Sequence, residues 1–238
     1  QRLIGPRQRQ VVFASGKDRT NHVEALLVET PEEIPGLVAW LRAEGEGLSH
    51  GAKVAAWNDL SGLGNHATQT VVNAQPVFVT NAVNGRAAMR FTRSASQHLL
   101  FPVANFNGMS SLRDMTVMVV CRWGGLTPSG MFGAWGGTAN SHFEINSGGQ
   151  LRLRVANVNN ATANSAMTVG VWSLAGGVMA GAGDNPSVKV YRDGVLKSTV
   201  YGDPGPALLS GYTHLYVGNS DSTTRCFDGD IAEEIGRA

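Results

Sequence analysis

Short alternating or apolar runs, separated by Gly, Asn, Asp and Pro, recur along most of the chain, and helical periodicity is nearly absent. Runs of this length between turn residues are typical of antiparallel β-strands, and their regular spacing is typical of a two-sheet sandwich. A chain of 238 residues is long enough for one such domain. We therefore predict an all-β fold, an antiparallel β-sandwich, from runs at 36–42, 53–57, 75–80, 86–91, 115–123 and several later positions.

The strongest predicted strand is "MTVMVVCRW", residues 115–123. Alternate residues of a strand point to opposite sides of the sheet, and both sides of this strand are apolar. Such a strand is expected in the centre of a sheet with both faces covered. One face carries Val117, Val119, Cys121 and Trp123, and the other carries Met118 and Val120.

Turn residues predict two hairpins. Ser147-Gly148-Gly149 separates two alternating runs, and Asp193-Gly194 separates two more. Asp-Gly suits a two-residue turn in which both residues have positive φ angles. In the second arm of the first hairpin, alternation predicts that Leu151, Leu153 and Val155 point inward and that Arg152 and Arg154 point outward.

Composition excludes two classes of partner. The formal net charge is only +1, without the clustered basic face that nucleic-acid binding requires. No apolar run approaches the ~18 residues needed to cross a bilayer, so we expect no membrane span. Cys121 and Cys226 lie far apart without CxxC spacing, and they are either two buried thiols or one disulfide.

Residues 1–35 differ from the rest of the chain. Two short runs in this segment form a candidate strand pair, and "VETPEEIPG" resembles a connector because it carries two Pro and three Glu. We predict an N-terminal extension or docking arm at 1–35 and one domain at 36–238. Arg2, Arg7 and Arg9 near the start suit a solvated tail or docking onto a partner.

The stretch "GLVAWLRAEG…GAKVAAWNDLSGLGNHATQ…QPVFVTNAVNGRAAMRF" resembles concanavalin A-like, laminin-G-like jelly-roll modules of secreted bacterial proteins and phage virion proteins. The Trp57–Gln69 loop carries the most specific part of the resemblance, and "YRDGVL" and "LYVGNS…FDGDIAEEI" extend it to the C-terminus. The resemblance implies a jelly roll. Family members usually continue after "DGDIAE" with an aromatic-containing strand, so we expect the last strand here to be short, unusual or cut.

The Trp57–Gln69 loop has a structural and a functional interpretation. Its Asn, Asp and Ser side chains can bond nearby backbone N–H groups, and its glycines permit tight turns, which explains the loop as structure. The resemblance also implies Ca²⁺, with Asn58, Asp59, Ser61 and Asn65 as candidate ligands. Calcium needs six to eight oxygens, so other loops would have to contribute, through Asp184, Asp203, Asp221, Asp228 or Asp230.

Catalytic patterns are not found. Glycan hydrolases place two carboxylates across the scissile bond, whereas Glu144 stands alone in "HFEIN" and the acids of "DGDIAEE" are expected to be exposed. The histidines lack ligand spacing, and no Ser lies in a nucleophile-elbow context. We predict that the protein is not an enzyme.

Glycan recognition combines an aromatic ring with side chains that hydrogen-bond sugar hydroxyls, although a Trp at a strand end is more often part of a core. The candidate ligand-binding residues near loops are Trp123, Trp135, Asn140, His142, Trp172 and Tyr212.

Two functions remain for such a domain. The first is a non-catalytic recognition or adhesion module for a glycan or a surface protein, on an extracellular or virion surface. The alternative is a structural virion protein, such as a capsid decoration, fibre or tail component, that docks onto neighbouring subunits through residues 1–35 by strand addition. Either function suits a homo-oligomer or part of an assembly, and a glycan hydrolase is the third option.

Overall fold

A computed structural model describes residues 31–106, 114–135, 141–155, 159–164, 166–181, 185–203, 212–220 and 224–237. Helix within these ranges is limited to α1 (Val103–Phe106) and to 3-10 turns at Pro31–Glu33, Val72–Ala74, Arg93–Ala95 and Ser147–Gly149. The strands are β1 (Leu37–Arg42), β2 (Ala56–Trp57), β3 (Ala67–Thr68), β4 (Val77–Val83), β5 (Arg86–Phe91), β6 (Leu99–Leu100), β7 (Asp114–Trp123), β8 (Ser129–Trp135), β9 (Ser141–Asn146), β10 (Gln150–Val155), β11 (Asn159–Ala163), β12 (Trp172–Ala180), β13 (Ser187–Arg192), β14 (Val195–Tyr201), β15 (His214–Val217) and β16 (Gly229–Arg237).

The strands form two antiparallel sheets, which confirms the predicted sandwich. Sheet A has the order β14-β13-β12-β7-β16-β5-β4, and β1 also pairs with β16. Sheet B has the order β11-β10-β9-β8-β15-β6-β3-β2. Their inner faces enclose one apolar core, to which nearly every strand contributes. The apolar faces are removed from water in this arrangement, which is the main force that holds the sheets together.

Strand β7 lies in the middle of sheet A between β12 and β16. The face predicted to carry Val117, Val119, Cys121 and Trp123 is buried, whereas Met118 and Val120 on the other face are half-buried. The central position is therefore confirmed, but the second face is only partly covered.

Both predicted hairpins are present. Asp193 (φ 53°) and Gly194 (φ 78°) connect β13 to β14 with the two positive φ angles that the dipeptide favours. Ser147–Gly149 connects β9 to β10, where Leu151, Leu153 and Val155 are buried while Arg152 and Arg154 alternate with them on the outer face.

The last strand, β16, excludes one alternative of its expected form and corrects a second expectation. It spans nine residues and pairs with β7 along its length, so it is not short. A register shift lies between Ile231 and Glu233, and it changes which side chains face inward. Asp230 and Glu234 are both buried, so the expectation that the acids of "DGDIAEE" are exposed is wrong for these two.

The predicted strand pair of the N-terminal extension lies outside the described residues, and the 1–35 and 36–238 division stays a prediction.

Cys121 and Cys226 are two buried thiols and not a disulfide, which decides between the two alternatives. Burial raises the pKa of Cys121 to about 12. No helix among the described residues is long and apolar enough to cross a membrane.

Candidate functional site

The loop after β2 is held together by the carboxylate of Asp59. Its Oδ1 accepts hydrogen bonds from the backbone N–H groups of Trp40 (2.9 Å) and Ser61 (2.9 Å). Its Oδ2 accepts from the Ser61 hydroxyl (2.7 Å) and from the Asn65 N–H (2.9 Å). Burial raises the pKa of Asp59, but these hydrogen bonds outweigh burial and lower it.

The donor set of this loop does not fit a calcium ion. Four N–H and O–H donors already converge on the Asp59 carboxylate, and the amides of Asn58 and Asn65 bond to Glu46 and to the Val38 carbonyl. Across the described residues, no group of three His, Cys, Asp or Glu side chains is arranged to hold a metal. The structural interpretation therefore explains these four candidate ligands, and calcium binding by the chain stays a prediction.

Two of the four predicted aromatic ligand-binding residues lie in the interior. Trp123 and Tyr212 are buried, and the Trp123 indole N–H donates to the Leu126 carbonyl (2.9 Å). Trp172 is half-buried at the start of β12, and its indole N–H donates to the Ala82 carbonyl (3.1 Å).

The remaining predicted ligand-binding residues are dispersed. His142 is buried on the outer face of β9 in sheet B. The backbone of Trp135 ends β8, and Asn140 lies outside the described residues. Among the candidates that the structure describes, Trp123 lines a pocket and Trp172 contacts Arg122 in the lining of the same pocket.

That pocket opens where β5 and β7 end and β16 begins. Gly229 pairs with both Phe91 and Trp123, and the next residue, Asp230, pairs with Arg90 and Arg122. The residue at position 229 must be glycine, because its φ is 142° and a Cβ there would lie 2.1 Å from the Arg122 carbonyl oxygen. Cross-strand pairing therefore sets Asp230 between two arginines.

We call this cavity of about 310 Å³ the sheet A pocket, a volume within the usual range of small-molecule sites. Its polar lining is formed by Arg90, Thr92, Arg122, Asp228 and Asp230, with backbone from Gly124 and Gly170.

Two guanidinium groups hold the Asp230 carboxylate. Arg90 donates from Nε (2.8 Å) and Nη2 (3.2 Å), and Arg122 donates from Nε (3.1 Å) and Nη2. The hydrogen bond to Asp230 raises the pKa of Arg90, against the opposing effect of burial. The Arg122 guanidinium also lies over the Trp172 ring, 5.3 Å from its centroid, a cation–π contact that fixes its orientation.

Asp228 is the second acid of the sheet A pocket. Its backbone N–H donates to the Ser129 hydroxyl (2.9 Å), and its carbonyl accepts from the Gly124 N–H (2.7 Å). Its side chain lies against Gly124, and the Arg93 N–H is at the limit of hydrogen bonding from Oδ1 (3.5 Å). No donor among the described residues reaches Oδ2, so this oxygen can accept a hydrogen bond from a ligand.

Sequence reasoning named Asp228 and Asp230, as possible calcium ligands, but missed Arg90 and Arg122. The alternation of "RAAMRF" places Arg86 and Arg90 on one face of a strand. Nothing in the sequence shows which acid lies opposite them.

Comparison with known proteins establishes the family. A family model described as the concanavalin A-like lectin/glucanases superfamily matches residues 93–234, more than half of the chain. The chain belongs to this superfamily. The match includes both predicted hairpins and most of β16, which confirms the resemblance seen there. The Trp57–Gln69 loop lies outside the matched residues.

Solved structures with the same superfamily fold have little sequence identity to this domain. Domain 4 of AbnA, a GH43 extracellular arabinanase from Geobacillus stearothermophilus in complex with arabinotriose, is 16% identical with a TM-score of 0.57, and the alignment covers 84% of this chain and 91% of that chain. The K499G mutant of NanB sialidase from Streptococcus pneumoniae is 12% identical with a TM-score of 0.50, covering 63% of this chain and 25% of that chain.

A third structure, Ruminococcus gnavus IT-sialidase CBM40 bound to α2,3-sialyllactose, is 10% identical with a TM-score of 0.48, covering 79% of this chain and 90% of that chain. No curated protein sequence matches the chain. At 16% and 12% identity, the first two likenesses establish the fold of this domain and no more.

Proposed function

We propose that this protein is a non-catalytic glycan-recognition module that works outside the cell and binds its ligand in the sheet A pocket. The observation that carries the proposal is the unoccupied acceptor of Asp228, Oδ2, beside two arginines that are partly exposed. The carboxylate can accept hydrogen bonds from sugar hydroxyls, and the neighbouring guanidinium N–H groups can donate to hydroxyl oxygens. Together they match the alternating donors and acceptors of a sugar ring.

The state of the two acids favours binding over catalysis. Glycoside hydrolysis needs one carboxyl group that donates a proton and another that attacks or activates water. The Asp230 side chain is 3% exposed; its Oδ1 accepts from Arg90, and its Oδ2 accepts from both Arg90 and Arg122. Such a carboxylate is free neither to protonate a leaving group nor to attack a sugar, which leaves Asp228 without a partner acid in the pocket.

A second pocket lies further along strands β5, β7 and β16. It measures about 490 Å³ and its charged side chains are Arg42, Glu44, Arg86 and Glu233. Two polar pockets along the same strands suit an oligosaccharide rather than a single sugar.

The likeness to the arabinanase domain supports the same function. That domain has the same fold and was solved in complex with arabinotriose, so a module of this shape can hold a short saccharide. The extracellular location proposed here rests on the same likeness. The virion alternative rests on residues 1–35, most of which lie outside the described residues, and it stays a prediction, as does the homo-oligomer.

Binding to an array of neutral and acidic oligosaccharides, including arabino-oligosaccharides, tests the proposal. We expect at least one neutral oligosaccharide to bind. In titration calorimetry the Asp228→Asn variant should weaken this binding at least tenfold, equivalent to about 1.4 kcal/mol. Asp203→Asn serves as the matched control, since Asp203 is exposed just after β14. An array without ligands, or equal losses in the two variants, would refute the proposal.

A further inference from the structure

A second polar cluster lies on the outer face of sheet B, remote in topology from the sheet A pocket. It consists of His142 and Glu144 on β9, Arg152 and Arg154 on β10, and Arg225 from the segment before β16. We call it the sheet B arginine cluster. In the β9–β10 ladder, Glu144 pairs with Arg152 and His142 pairs with Arg154, so the four strand residues form two adjacent rows.

The fifth member is positioned by two glycines of β8. The Gly130 N–H donates to the Arg225 carbonyl (2.8 Å), and Ser220 lies so close to Gly130 and Gly133 that a Cβ at either glycine would be within 2.4 Å of the Ser220 backbone. Because these glycines have no side chains, the chain around Ser220 and Arg225 can approach β8 and the cluster.

Glu144 is fully buried and accepts from three residues. Arg152 donates from Nε (2.9 Å) and Nη2, and Arg225 donates from Nη1 to both oxygens (2.9 and 3.1 Å). The Ser220 hydroxyl donates at 3.2 Å. Burial raises the pKa of Glu144, but the hydrogen bond from Arg152 and the charges of Arg152 and Arg225 outweigh burial and lower it. The carboxylate is therefore ionised and fully engaged.

Arg154 is the member of the cluster whose positive charge is only partly compensated. Its Nε is buried and has no hydrogen-bond partner among the described residues. Burial, together with the positive charges of Arg152 and Arg225, lowers the pKa of Arg154, and the single carboxylate of Glu144 compensates only in part. Among the described residues of the cluster, three guanidinium groups thus lie near one carboxylate, and positive charge exceeds negative charge on this partly exposed surface.

His142 adds a buried acceptor beside this surface. Burial lowers its pKa to about 4, so the ring is neutral at physiological pH. The ring bonds to the backbone of Ser220, while Nδ1 has no partner among the described residues. The proton of the neutral ring therefore lies on Nε2, and Nδ1 can accept a hydrogen bond.

We propose that the sheet B arginine cluster binds an anionic sugar, whose oxyanion accepts hydrogen bonds from Arg154 and Arg225 and whose hydroxyl donates to His142 Nδ1. Guanidinium groups pair with carboxylate and sulfate in charge-assisted, two-pronged contacts. A bare inorganic anion would satisfy the arginines and leave the imidazole acceptor unused. The site is separate from the sheet A pocket and does not depend on its function.

Titration calorimetry with four probes tests this site. The probes are an oligogalacturonate, a neutral galactan oligosaccharide of the same length, a sulfated oligosaccharide and inorganic sulfate. We expect at least one acidic oligosaccharide to bind, more weakly as salt is raised because the contacts are ionic, and at least tenfold more tightly than the neutral oligosaccharide and inorganic sulfate.

The Arg154→Gln variant should weaken binding of the acidic oligosaccharide at least tenfold. It should keep the melting temperature of the parent protein, because the substitution removes charge repulsion. Arg237→Gln, an exposed arginine on sheet A, is the matched control and should keep full affinity. Binding of neither acidic oligosaccharide, equal losses in the two variants, or equal affinity for inorganic sulfate would overturn the proposal.

Asp228→Asn separates this site from the proposed glycan pocket. It should leave the acidic oligosaccharide bound with unchanged affinity, whereas Arg154→Gln should leave any neutral oligosaccharide ligand unaffected. Failure of one site can therefore be recognised while the other still binds, and loss of acidic binding in Asp228→Asn would also contradict the proposal.

Discussion

Glu234 lies opposite Val119 in the ladder between β16 and β7, on the face of sheet A that packs against sheet B. Its carboxyl group is 3% exposed, and Oε2 has no hydrogen-bond partner among the described residues. The irregularity between Ile231 and Glu233 produces this placement, because one additional residue in a strand reverses the faces of all residues that follow. Glu234 therefore lines a cavity together with Val38, Phe101 and Phe132.

The Glu234→Gln variant should change how stability depends on pH. Burial raises the pKa of Glu234 well above that of an exposed glutamate. The folded state therefore holds this proton more tightly than the unfolded state, and the stabilisation is complete below the unfolded pKa and is lost as pH rises towards the folded pKa. We expect the variant to be more stable than the parent at pH 7, by roughly 1–3 kcal/mol, with a difference that narrows towards pH 4.

Urea unfolding at several pH values measures this difference. Glu33→Gln is the control, since Glu33 is an exposed glutamate. A Glu234→Gln offset that stays constant between pH 4 and pH 8 would contradict the assignment of a protonated interior carboxyl group.

The Asp59→Asn variant should destabilise the loop after β2. The amide nitrogen of asparagine would face N–H or O–H donors in place of a carboxylate oxygen, and hydrogen bonds to a charged acceptor are lost. We expect a loss of roughly 2–3 kcal/mol in the free energy of unfolding, measured by urea denaturation at pH 7. Because hydrogen bonds lower the pKa of Asp59, its contribution should vanish as pH falls through that lowered pKa.

Chelation tests whether the loop after β2 binds calcium. Since four protein donors saturate the Asp59 carboxylate, the melting temperature should be the same in excess EDTA and in millimolar CaCl₂. A calcium-dependent rise that disappears in Asp59→Asn would restore the loop as a calcium site.

The Glu144→Gln variant should be strongly destabilised. It removes the carboxylate that Arg152 and Arg225 share in the sheet B arginine cluster, and loss of one partner of a buried ion pair costs about 3–5 kcal/mol. Because the pKa of Glu144 is lowered, the stabilisation is present above the unfolded pKa and lost as pH falls through the folded pKa. Urea titrations of parent and variant should converge in acid, and equal stability at pH 7 would contradict the described ion pairs.

The Gly124→Ala variant should impair the sheet A pocket without unfolding the protein. A Cβ at this position would lie 2.4 Å from Asp228 Oδ2 and 3.1 Å from the Asp228 carbonyl oxygen, so the carboxylate must move. We expect affinity for the neutral oligosaccharide ligand to fall at least tenfold while the circular dichroism spectrum is retained. Gly236→Ala is the matched control, since a Cβ there meets no atom within 4 Å, and it should bind like the parent.

Local chemistry was sufficient to predict several elements. The Asp193-Gly194 turn, the alternation of Leu151 with Arg152 and the central position of β7 all follow from residues within about ten positions of each other. Turn length also fixes hairpin register, so a turn at Ser147–Gly149 already places Glu144 opposite Arg152. That ion pair was within reach of the sequence, although we predicted only a solitary glutamate.

The candidate sites depended on contacts between distant segments. Asp230 meets Arg90 and Arg122 across separations of 140 and 108 residues, and Arg225 meets Glu144 across 81. The burial of Trp123 and Tyr212 has the same reason, since an aromatic side chain near a loop becomes core or surface according to what the opposite sheet places against it.

The amino-acid sequence by itself determined the two-sheet class, the hairpins and the family, because alternation and turn chemistry act between near neighbours. Strand order, the irregularity in β16 and the pairing of acids with arginines were decided only in the tertiary structure. Those features depend on which distant strands lie side by side, and that choice minimises exposed apolar surface and unpaired charge over the whole chain rather than within any one segment.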